Sequence, residues 1–256
     1  MDIQYLGRKG SNKLAYVYSP ASEQGDDLPT VVFCGGFKSD MMGTKATYFE
    51  EQCRAKGQAY LRFDYSGHGL SSGDFKDGTI SSWFSDALSV VDEITQGPLV
   101  IVGSSMGGWI GLLLAQARAE RMKGFIGIAA APDFTTRLYD EELSDEHRTE
   151  IAEKGYVKIP NDYDDEPYIF TQALFDDGKK NLILDRDHTH DYPITLFHGL
   201  CDATVPKETP LSIRDRYSGG LLDIVFIDDG DHSLSRPQDL EILMAEIQSM
   251  STAQEL

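Results

Sequence analysis

Residues 98–114 read PLVIVGSSMGGWIGLLL, so that an apolar run enters a glycine-rich turn and a second apolar run leaves it. The turn contains the pattern Gly-x-Ser-x-Gly at Gly103, Ser105 and Gly107. In a strand-to-helix turn of this pattern the serine occupies a strained elbow, and the glycines let the strand and the helix approach without Cβ clashes. Because a strand precedes the pattern and a helix follows it, we predict that Ser105 is a nucleophile at the carboxyl edge of a sheet.

Apolar runs and helix-period segments alternate along the chain on both sides of this turn. Such alternation is typical of parallel strands joined by crossover helices, and wholly apolar strands are typical of a sheet covered on both faces. The runs predict about eight strands, at residues 3–8, 14–19, 30–34, 60–63, 99–103, 124–129, 194–198 and 222–227. Apolar residues at three- and four-residue spacing predict the covering helices, at residues 45–56, 80–95, 106–119 and 239–249. The expected fold is therefore α/β, with a mostly parallel sheet.

We expect residues 1–256 to form a single domain, since α/β chains of roughly 200 to 250 residues commonly fold around a single hydrophobic core. One segment interrupts the alternation, because residues 133–191 contain no clear apolar strand and are rich in acidic and tyrosine residues. A structureless loop of that length is uncommon in a compact domain. The segment is therefore predicted to be a small inserted helical cap over the active face, with helices around residues 145–154 and 168–177.

A serine hydroxyl is a weak nucleophile until an oriented base takes its proton, so the chain must also supply a histidine. His232 is the best placed of the six histidines, because it closely follows the last predicted strand. The base in turn needs a carboxylate that holds its tautomer. Asp202 follows the strand predicted at residues 194–198 and gives the chain order Ser, Asp, His. The predicted catalytic residues are therefore Ser105, Asp202 and His232.

Other histidines and carboxylates are weaker candidates for these two roles. The remaining histidines lie at a strand end, in a glycine-rich loop or in the predicted cap: His198, His68, His147, His188 and His190. Asp228, Asp229 and Asp231 are rivals of Asp202, but carboxylates so close to His232 in sequence seldom reach its Nδ1. We expect these three to serve the loop itself.

Two backbone N–H groups are predicted to form an oxyanion hole for the tetrahedral intermediate. One is the N–H of Met106, which directly follows the nucleophile at the start of a predicted helix. The other is the N–H of Phe37 in Gly35-Gly36-Phe37, a loop that comes shortly after the strand predicted at residues 30–34.

These motifs stand in the order found in the α/β-hydrolase superfamily, which the chain resembles over nearly its whole length. The resemblance implies the α/β-hydrolase fold and a serine hydrolase that cleaves carboxylic esters or thioesters through an acyl-enzyme. Residues 62–71, RFDYSGHGLS, are similar to the loop after the family's fourth strand, where arginine often replaces Ser66. Residues 36–46, GFKSDMMGTKA, resemble the abhydrolase-domain branch of acyl-protein thioesterases and acyl-glucuronide esterases. That resemblance implies a thioester or activated-ester substrate, either an S-acylated (palmitoylated) protein or an acyl metabolite.

Charge and composition narrow the expected partners. A formal net charge of −19 repels nucleic acid phosphates and anionic lipid headgroups, so neither is an expected partner. No apolar run approaches the ~20 residues needed to cross a bilayer, so stable membrane insertion is not expected. Acyl-enzyme chemistry requires no metal and no organic cofactor. The expected partner is a small-molecule or acylated-protein substrate, and the chain is expected to be a monomer or a weak oligomer.

The cysteines and the opening residues bear on the compartment. Cys34, Cys53 and Cys201 are odd in number and lack Cys-x-x-Cys spacing, so neither a disulfide framework nor a zinc site is predicted. Residues 1–6 lack the basic and apolar segments of a targeting peptide. These observations favour a soluble protein of the reducing cytoplasm.

Two further interpretations stay open on the sequence. The same triad is able to cleave an activated carbon–carbon bond or an amide, and a small-molecule carboxylesterase would carry the same motifs. A chain of this fold can also be a catalytically silent ligand-binding protein, whose mark would be a missing triad residue. All three residues are present here.

Overall fold

The computed structural model describes residues 2–7, 12–161 and 166–253, so Arg8 of the strand predicted at residues 3–8 lies outside the described residues. The strands in those ranges are, in chain order, β1 (Gln4–Gly7), β2 (Lys13–Ser19), β3 (Thr30–Cys34), β4 (Tyr60–Phe63), β5 (Leu99–Ser104), β6 (Met122–Ile128), β7 (Tyr156–Ile159), β8 (Tyr168–Thr171), β9 (His188–His190), β10 (Ile194–Gly199), β11 (Tyr217–Gly219) and β12 (Leu222–Ile227). The α-helices there are α1 (Thr44–Ala55), α2 (Ile80–Ile94), α3 (Met106–Ala117), α4 (Phe134–Arg137), α5 (Asp145–Lys154), α6 (Gln172–Gly178), α7 (Thr209–Arg216) and α8 (Pro237–Thr252).

Eight of these strands form one sheet, in the order β1-β2-β4-β3-β5-β6-β10-β12. The strand β2 pairs antiparallel with both of its neighbours, β1 and β4, and every other neighbouring pair is parallel. Each of the eight overlaps one predicted strand, so the prediction of a mostly parallel sheet of about eight strands is confirmed. Because parallel strands share a direction, β3, β5, β10 and β12 end at the same edge of the sheet.

Helices cover the sheet on both faces. Successive side chains of a strand point to opposite faces, so neighbouring apolar residues of one strand pack against helices on different sides. In β5, Ile101 belongs to the apolar cluster that contains Trp83 of α2. Its neighbour Val102 belongs to the cluster that contains Phe49 of α1. Helices α2 and α3 therefore lie on one face, and α1 and α8 lie on the other. All four predicted covering helices are present, with ends that differ from the predicted ones by at most three residues.

Several helices begin where a hydroxyl side chain satisfies the N–H groups of the first turn. The hydroxyl of Thr79 accepts the N–H of Ser82 at 3.2 Å, and the hydroxyl of Ser82 accepts the N–H of Thr79 at 2.8 Å. This reciprocal capping box fixes the start of α2. In the same way, Ser144 accepts the N–H of His147 at 3.2 Å and starts α5, which confirms the helix predicted at residues 145–154.

The cap segment, residues 133–191, is only partly helical. The helix predicted at residues 168–177 is wrong over its first four residues, because these form β8, which pairs antiparallel with β7. The helix α6 begins at Gln172, where the hydroxyl of Thr171 accepts the N–H of Leu174 at 3.1 Å. The segment was expected to be a helical cap, but it also contains strands: β7 and β8 form a two-stranded antiparallel hairpin, and β9 lies near the end of the segment.

No helix within the described ranges combines the length and the apolar character that a membrane span requires.

Candidate active site

Ser105 lies between β5 and α3 in a backbone conformation that residues other than glycine rarely adopt, with φ 55° and ψ −120°. Such a conformation costs about 1–3 kcal/mol and persists only where the surroundings enforce it. A Cβ atom on Gly103 would collide with the carbonyl of Gly107, and one on Gly107 would collide with the carbonyl of Cys34. Both glycines of the pattern are therefore required by the close approach of β3, β5 and α3.

The structure brings the side chains of Ser105, His232 and Asp202 together at one edge of the sheet. The Nε2 atom of His232 lies 3.1 Å from the hydroxyl oxygen of Ser105. Its Nδ1 atom lies 2.8 Å from Oδ2 of Asp202. Since the carboxylate can only accept, Nδ1 carries the proton and Nε2 is left as the acceptor that faces the serine hydroxyl. This arrangement has the geometry of a nucleophile, a base and an orienting carboxylate.

Asp202 is held so that it presents one oxygen to the imidazole. Its other oxygen, Oδ1, accepts the N–H groups of Thr204 at 2.7 Å and Val205 at 2.9 Å. Its side chain is fully buried. Burial raises the pKa of Asp202, but the hydrogen bond and charge of His232 and the two N–H donors outweigh burial, so the pKa lies below its ordinary value. Asp202 is therefore ionised at neutral pH, the form that an orienting carboxylate requires.

Two of the three rival carboxylates, Asp229 and Asp231, have partners close to His232 in the chain. Asp229 forms an ion pair with Arg236 at 2.7 Å. Oδ1 of Asp231 accepts the N–H of Leu234 at 2.9 Å, as in a turn closed by an aspartate. Among the other histidines, Nε2 of His198 lies 3.1 Å from the carbonyl of Val205 and 3.9 Å from Oδ2 of Asp202, on the side of the carboxylate rather than of the serine.

The loop predicted to supply an oxyanion donor lies against the nucleophile, because a Cβ atom on Gly36 would stand 3.4 Å from the Cβ of Ser105. The carbonyl of Gly36 accepts both the N–H of Ser39 at 3.2 Å and its hydroxyl at 2.8 Å. In a trans peptide the N–H points opposite to the carbonyl, so the Phe37 N–H is directed away from Ser39. Met106 is the first residue of α3, so its N–H has no partner inside the helix.

Lys45, in the stretch GFKSDMMGTKA, connects α1 to the loop of His232. The sequence alone assigned it no role. Its ammonium group donates to the carbonyl of Ser233, the residue after His232, and to the hydroxyl of Ser235 at 3.2 Å. Burial lowers the pKa of Lys45 to about 8, against the opposing charges of Asp231 and Asp239. The sequence shows only that Lys45 is a lysine between two small residues at the start of a predicted helix. It does not show which loop packs against that helix start.

Aromatic rings surround the side chain of Phe37 and connect the catalytic edge to the cap segment. This aromatic cluster is centred on Phe37, with ring centroids 4.8 to 5.9 Å away at Phe75, Trp83, Phe134, Tyr168 and Phe170. The ring of Phe170 in β8 stacks on Phe37 at 5.0 Å with an interplanar angle of 4°. The cap hairpin is therefore packed directly on the loop next to Ser105.

No group of three or more His, Cys, Asp or Glu side chains is arranged to hold a metal ion in the part of the chain that the structure describes.

Comparison with known proteins agrees with the fold. The family model described as serine aminopeptidase, S33, matches residues 27–154. A hydrolase from Agrobacterium vitis S4 superposes with a TM-score of 0.93 at 37% identity, covering 98% of both chains. The chain belongs to the α/β-hydrolase family of serine hydrolases and is a hydrolytic enzyme.

Within that family the chain is similar to proteins with a named activity. Palmitoyl-protein thioesterase ABHD10, mitochondrial, from Mus musculus is 34% identical over 249 residues, which cover 97% of this chain and 82% of the mouse protein. The solved structure of mouse α/β hydrolase domain-containing protein 10 superposes with a TM-score of 0.88 at 32% identity, covering 98% of both chains. Hydrolysis of an ester or a thioester is the activity that agrees with these relatives.

The expected cytoplasmic location is wrong, because the ABHD10 relatives from cattle, mouse and human are all named as mitochondrial. The expectation rested on the cysteines and on the character of residues 1–6. Cys34 and Cys53 are free and buried. Free buried thiols report the absence of disulfides and do not distinguish one reducing compartment from another.

Proposed function

We propose that this enzyme removes long-chain acyl groups from S-acylated proteins, by hydrolysis of the thioester through an acyl-enzyme on Ser105. The observation that carries the proposal is the continuous series of hydrogen-bond contacts from Ser105 through His232 to Asp202, with distances of 3.1 Å and 2.8 Å. The thioester preference is supported by the palmitoyl-protein thioesterases that are 32–34% identical over most of the chain.

The first half of the reaction follows from the orientation of His232. Its unprotonated Nε2 takes the proton of the Ser105 hydroxyl while the oxygen attacks the thioester carbonyl carbon. The carbonyl electron pair moves onto oxygen, which the N–H groups of Phe37 and Met106 stabilise. When the carbon–sulfur bond breaks, His232 returns the proton to the departing thiolate, and the acyl group remains as an ester on Ser105.

The second half uses the same groups with water as the nucleophile. His232 takes a proton from water, the hydroxide attacks the acyl-serine carbonyl, and the intermediate expels Ser105, which regains its proton from the imidazole. Asp202 stabilises the imidazolium formed in both halves. The product acid leaves and the enzyme returns to its starting state.

A cavity near these three residues has room for part of a substrate, and its wall is partly polar, with Asp133, Arg137 and Glu208 among the lining residues. It measures about 500 Å³, within the roughly 300–1,000 Å³ of ordinary small-molecule sites. Its wall includes Ala131, whose N–H donates to the carbonyl of Ser105 at 3.0 Å, and Val205, whose N–H donates to Asp202. Phe134 and Leu184 add apolar surface from the cap segment. The cavity therefore lies one hydrogen bond away from the backbone of Ser105 and from the side chain of Asp202.

The proposal is tested by comparing matched thioester and oxygen-ester peptides. The substrates are one cysteine peptide S-acylated with chains from acetyl to palmitoyl and the serine peptide that carries the same chains, assayed with wild type and with a Ser105→Ala blank. We expect kcat/KM on the thioesters to rise by about fourfold for each CH₂ group that the enzyme buries, since burial of one CH₂ contributes about 0.8 kcal/mol. Palmitoyl thioester should be preferred to its oxygen ester.

Other outcomes would contradict the proposal in different ways. Activity confined to acetyl and other short activated esters would make the chain a small-molecule esterase. Turnover no higher than that of the Ser105→Ala blank, on every substrate, would support the silent ligand-binding protein instead.

A further inference from the structure

His68 is a buried histidine that the acyl-transfer chemistry does not use. It lies in the loop between β4 and α2, with 3% of its surface exposed. Three aromatic rings enclose it, with centroids 5.5 Å away at Tyr65, 5.0 Å at Phe75 and 5.1 Å at Trp83. A titratable ring in such a position needs a hydrogen-bonding reason to be histidine rather than phenylalanine.

The hydrogen bonds of His68 define its tautomer. Its Nδ1 lies 3.3 Å from the carbonyl of Ser66, which can only accept, so Nδ1 carries the proton. Its Nε2 is therefore an acceptor, and it receives the backbone N–H of Lys38 at 3.2 Å. Burial lowers the pKa of His68 to about 4, against the opposing effect of the hydrogen bond that Nδ1 donates to the carbonyl of Ser66, so the ring is neutral at neutral pH.

Lys38 directly follows Phe37, the predicted oxyanion donor. Its backbone is in the left-handed region, with φ 57°. A residue with a side chain stays there only when neighbouring contacts hold it. Ser39 holds the Gly36 carbonyl on one side of the Phe37 peptide, and His68 holds the Lys38 N–H on the other. Hydrogen bonds therefore fix the turn on both sides of the Phe37 N–H.

A second connection runs through shared ring contacts. Phe75 and Trp83, which enclose His68, also contact the ring of Phe37, at 4.8 Å and 5.9 Å. The imidazole therefore contacts the backbone of the oxyanion loop directly and the ring of Phe37 through Phe75 and Trp83.

We propose that His68 is a positioning residue for the oxyanion hole: its neutral imidazole accepts the Lys38 N–H and holds the Phe37 N–H where it meets the tetrahedral intermediate. The inference rests on the proposed acyl-enzyme function. It predicts a loss of transition-state stabilisation with substrate binding kept.

Two substitutions separate the hydrogen bond from the ring. His68→Phe keeps an aromatic ring and removes the acceptor, whereas His68→Gln keeps an acceptor at a similar reach and removes the ring. His190→Phe is the matched control, because His190 is another buried histidine, 7% exposed, in the small sheet of β9 and β11. The readouts are kcat and KM on a palmitoyl-cysteine peptide, the melting temperature, and Ki for a long-chain trifluoromethyl ketone.

The ketone reports on the oxyanion hole directly. The Ser105 oxygen adds to its carbonyl carbon, the serine proton passes to Nε2 of His232, and the carbonyl electron pair becomes an oxyanion with no leaving group to expel. Removing one oxyanion donor costs about 10²–10³ in kcat, and displacing one should cost less. We expect His68→Phe to lower kcat about 10- to 100-fold and to raise Ki by a similar factor, with KM changed by less than about twofold.

His68→Gln should recover most of the lost kcat, and His190→Phe should keep kcat within about twofold of wild type. Unchanged kcat and Ki in folded His68→Phe would overturn the proposal, and so would equal losses in His190→Phe. If His68→Phe does not fold, His68→Asn replaces it, because its shorter side chain cannot reach the Lys38 N–H. Equal kcat in His68→Asn and His68→Gln would then overturn the proposal.

Failure of the proposed function would be visible separately. In that case wild type itself would show no thioester turnover above the Ser105→Ala blank, whatever residue stands at position 68. Wild-type turnover with no effect of His68 would contradict the positioning role alone.

Discussion

Ser105→Ala is expected to lower kcat on a palmitoyl thioester by about 10⁶-fold, because it removes the atom that forms the acyl-enzyme. What remains should be the modest acceleration that the oxyanion hole and substrate binding provide by themselves. KM should change little, since the hydroxyl contributes mainly to the transition state. The measurement is kcat and KM from initial rates of thiol release.

The neighbouring serine gives a matched control. Ser104 is the last residue of β5 and is buried, with 8% of its surface exposed. Ser104→Ala removes the same hydroxyl one position earlier and should keep kcat within about threefold of wild type. A Ser105→Ala variant that retained more than a hundredth of wild-type kcat, with Ser104→Ala reduced instead, would place the nucleophile elsewhere.

Asp202→Asn is expected to lower kcat by about 10⁴-fold with little change in fold. The asparagine amide can donate to Nδ1, so His232 would carry its proton on Nε2 and could not accept one from Ser105. Because the pKa of Asp202 lies below its ordinary value, the wild-type carboxylate stays ionised across the neutral range. Its contribution is lost only as the pH falls through that lowered pKa.

The control for this substitution is Asp228→Asn, which changes a rival carboxylate beside the His232 loop. It should keep kcat within about threefold of wild type. The pH profile of kcat/KM for Asp228→Asn should have the same shape as that of the wild-type enzyme. Near-normal turnover in Asp202→Asn, or a large loss in Asp228→Asn, would contradict the assignment of the orienting carboxylate.

The sequence predicted the sheet well because its strands carry a local signal. Runs such as residues 99–102, LVIV, are apolar throughout, which is what burial on both faces requires, and their order along the chain gives parallel crossovers. The predicted positions of Ser105, Asp202 and His232 follow from the same logic, since residues just after parallel strands meet at one edge. Their catalytic roles remain predictions until the variants are measured.

The cap segment was predicted less well because its structure depends on pairing between separate parts of the chain. The residues of β8, YIFT, all favour a strand by local propensity, and the helical prediction overlooked this because no partner strand had been identified. In the structure Tyr168 pairs with Ile159, and Tyr156 pairs with Thr171. Helix α7 and the short strands β9 and β11 were missed for the related reason that few apolar residues mark them.

The residues that support the site were missed for a different reason. His68 stood in a glycine-rich loop and Lys45 at a helix start, and neither position shows what lies opposite in space. The structure places one against the oxyanion loop and the other against the loop of His232. Such contacts join positions 30 and 188 residues apart, which no periodic pattern reports.

The central claim, an acyl-enzyme on Ser105, is tested most directly by trapping that intermediate. Wild type is mixed with a palmitoyl-cysteine peptide, quenched in acid within the first turnovers, digested and analysed by mass spectrometry. We predict a palmitoyl adduct on the peptide that contains Ser105, absent from Ser105→Ala and present in Ser104→Ala. Steady thioester turnover with no adduct on Ser105, or with the adduct on another residue, would contradict the account.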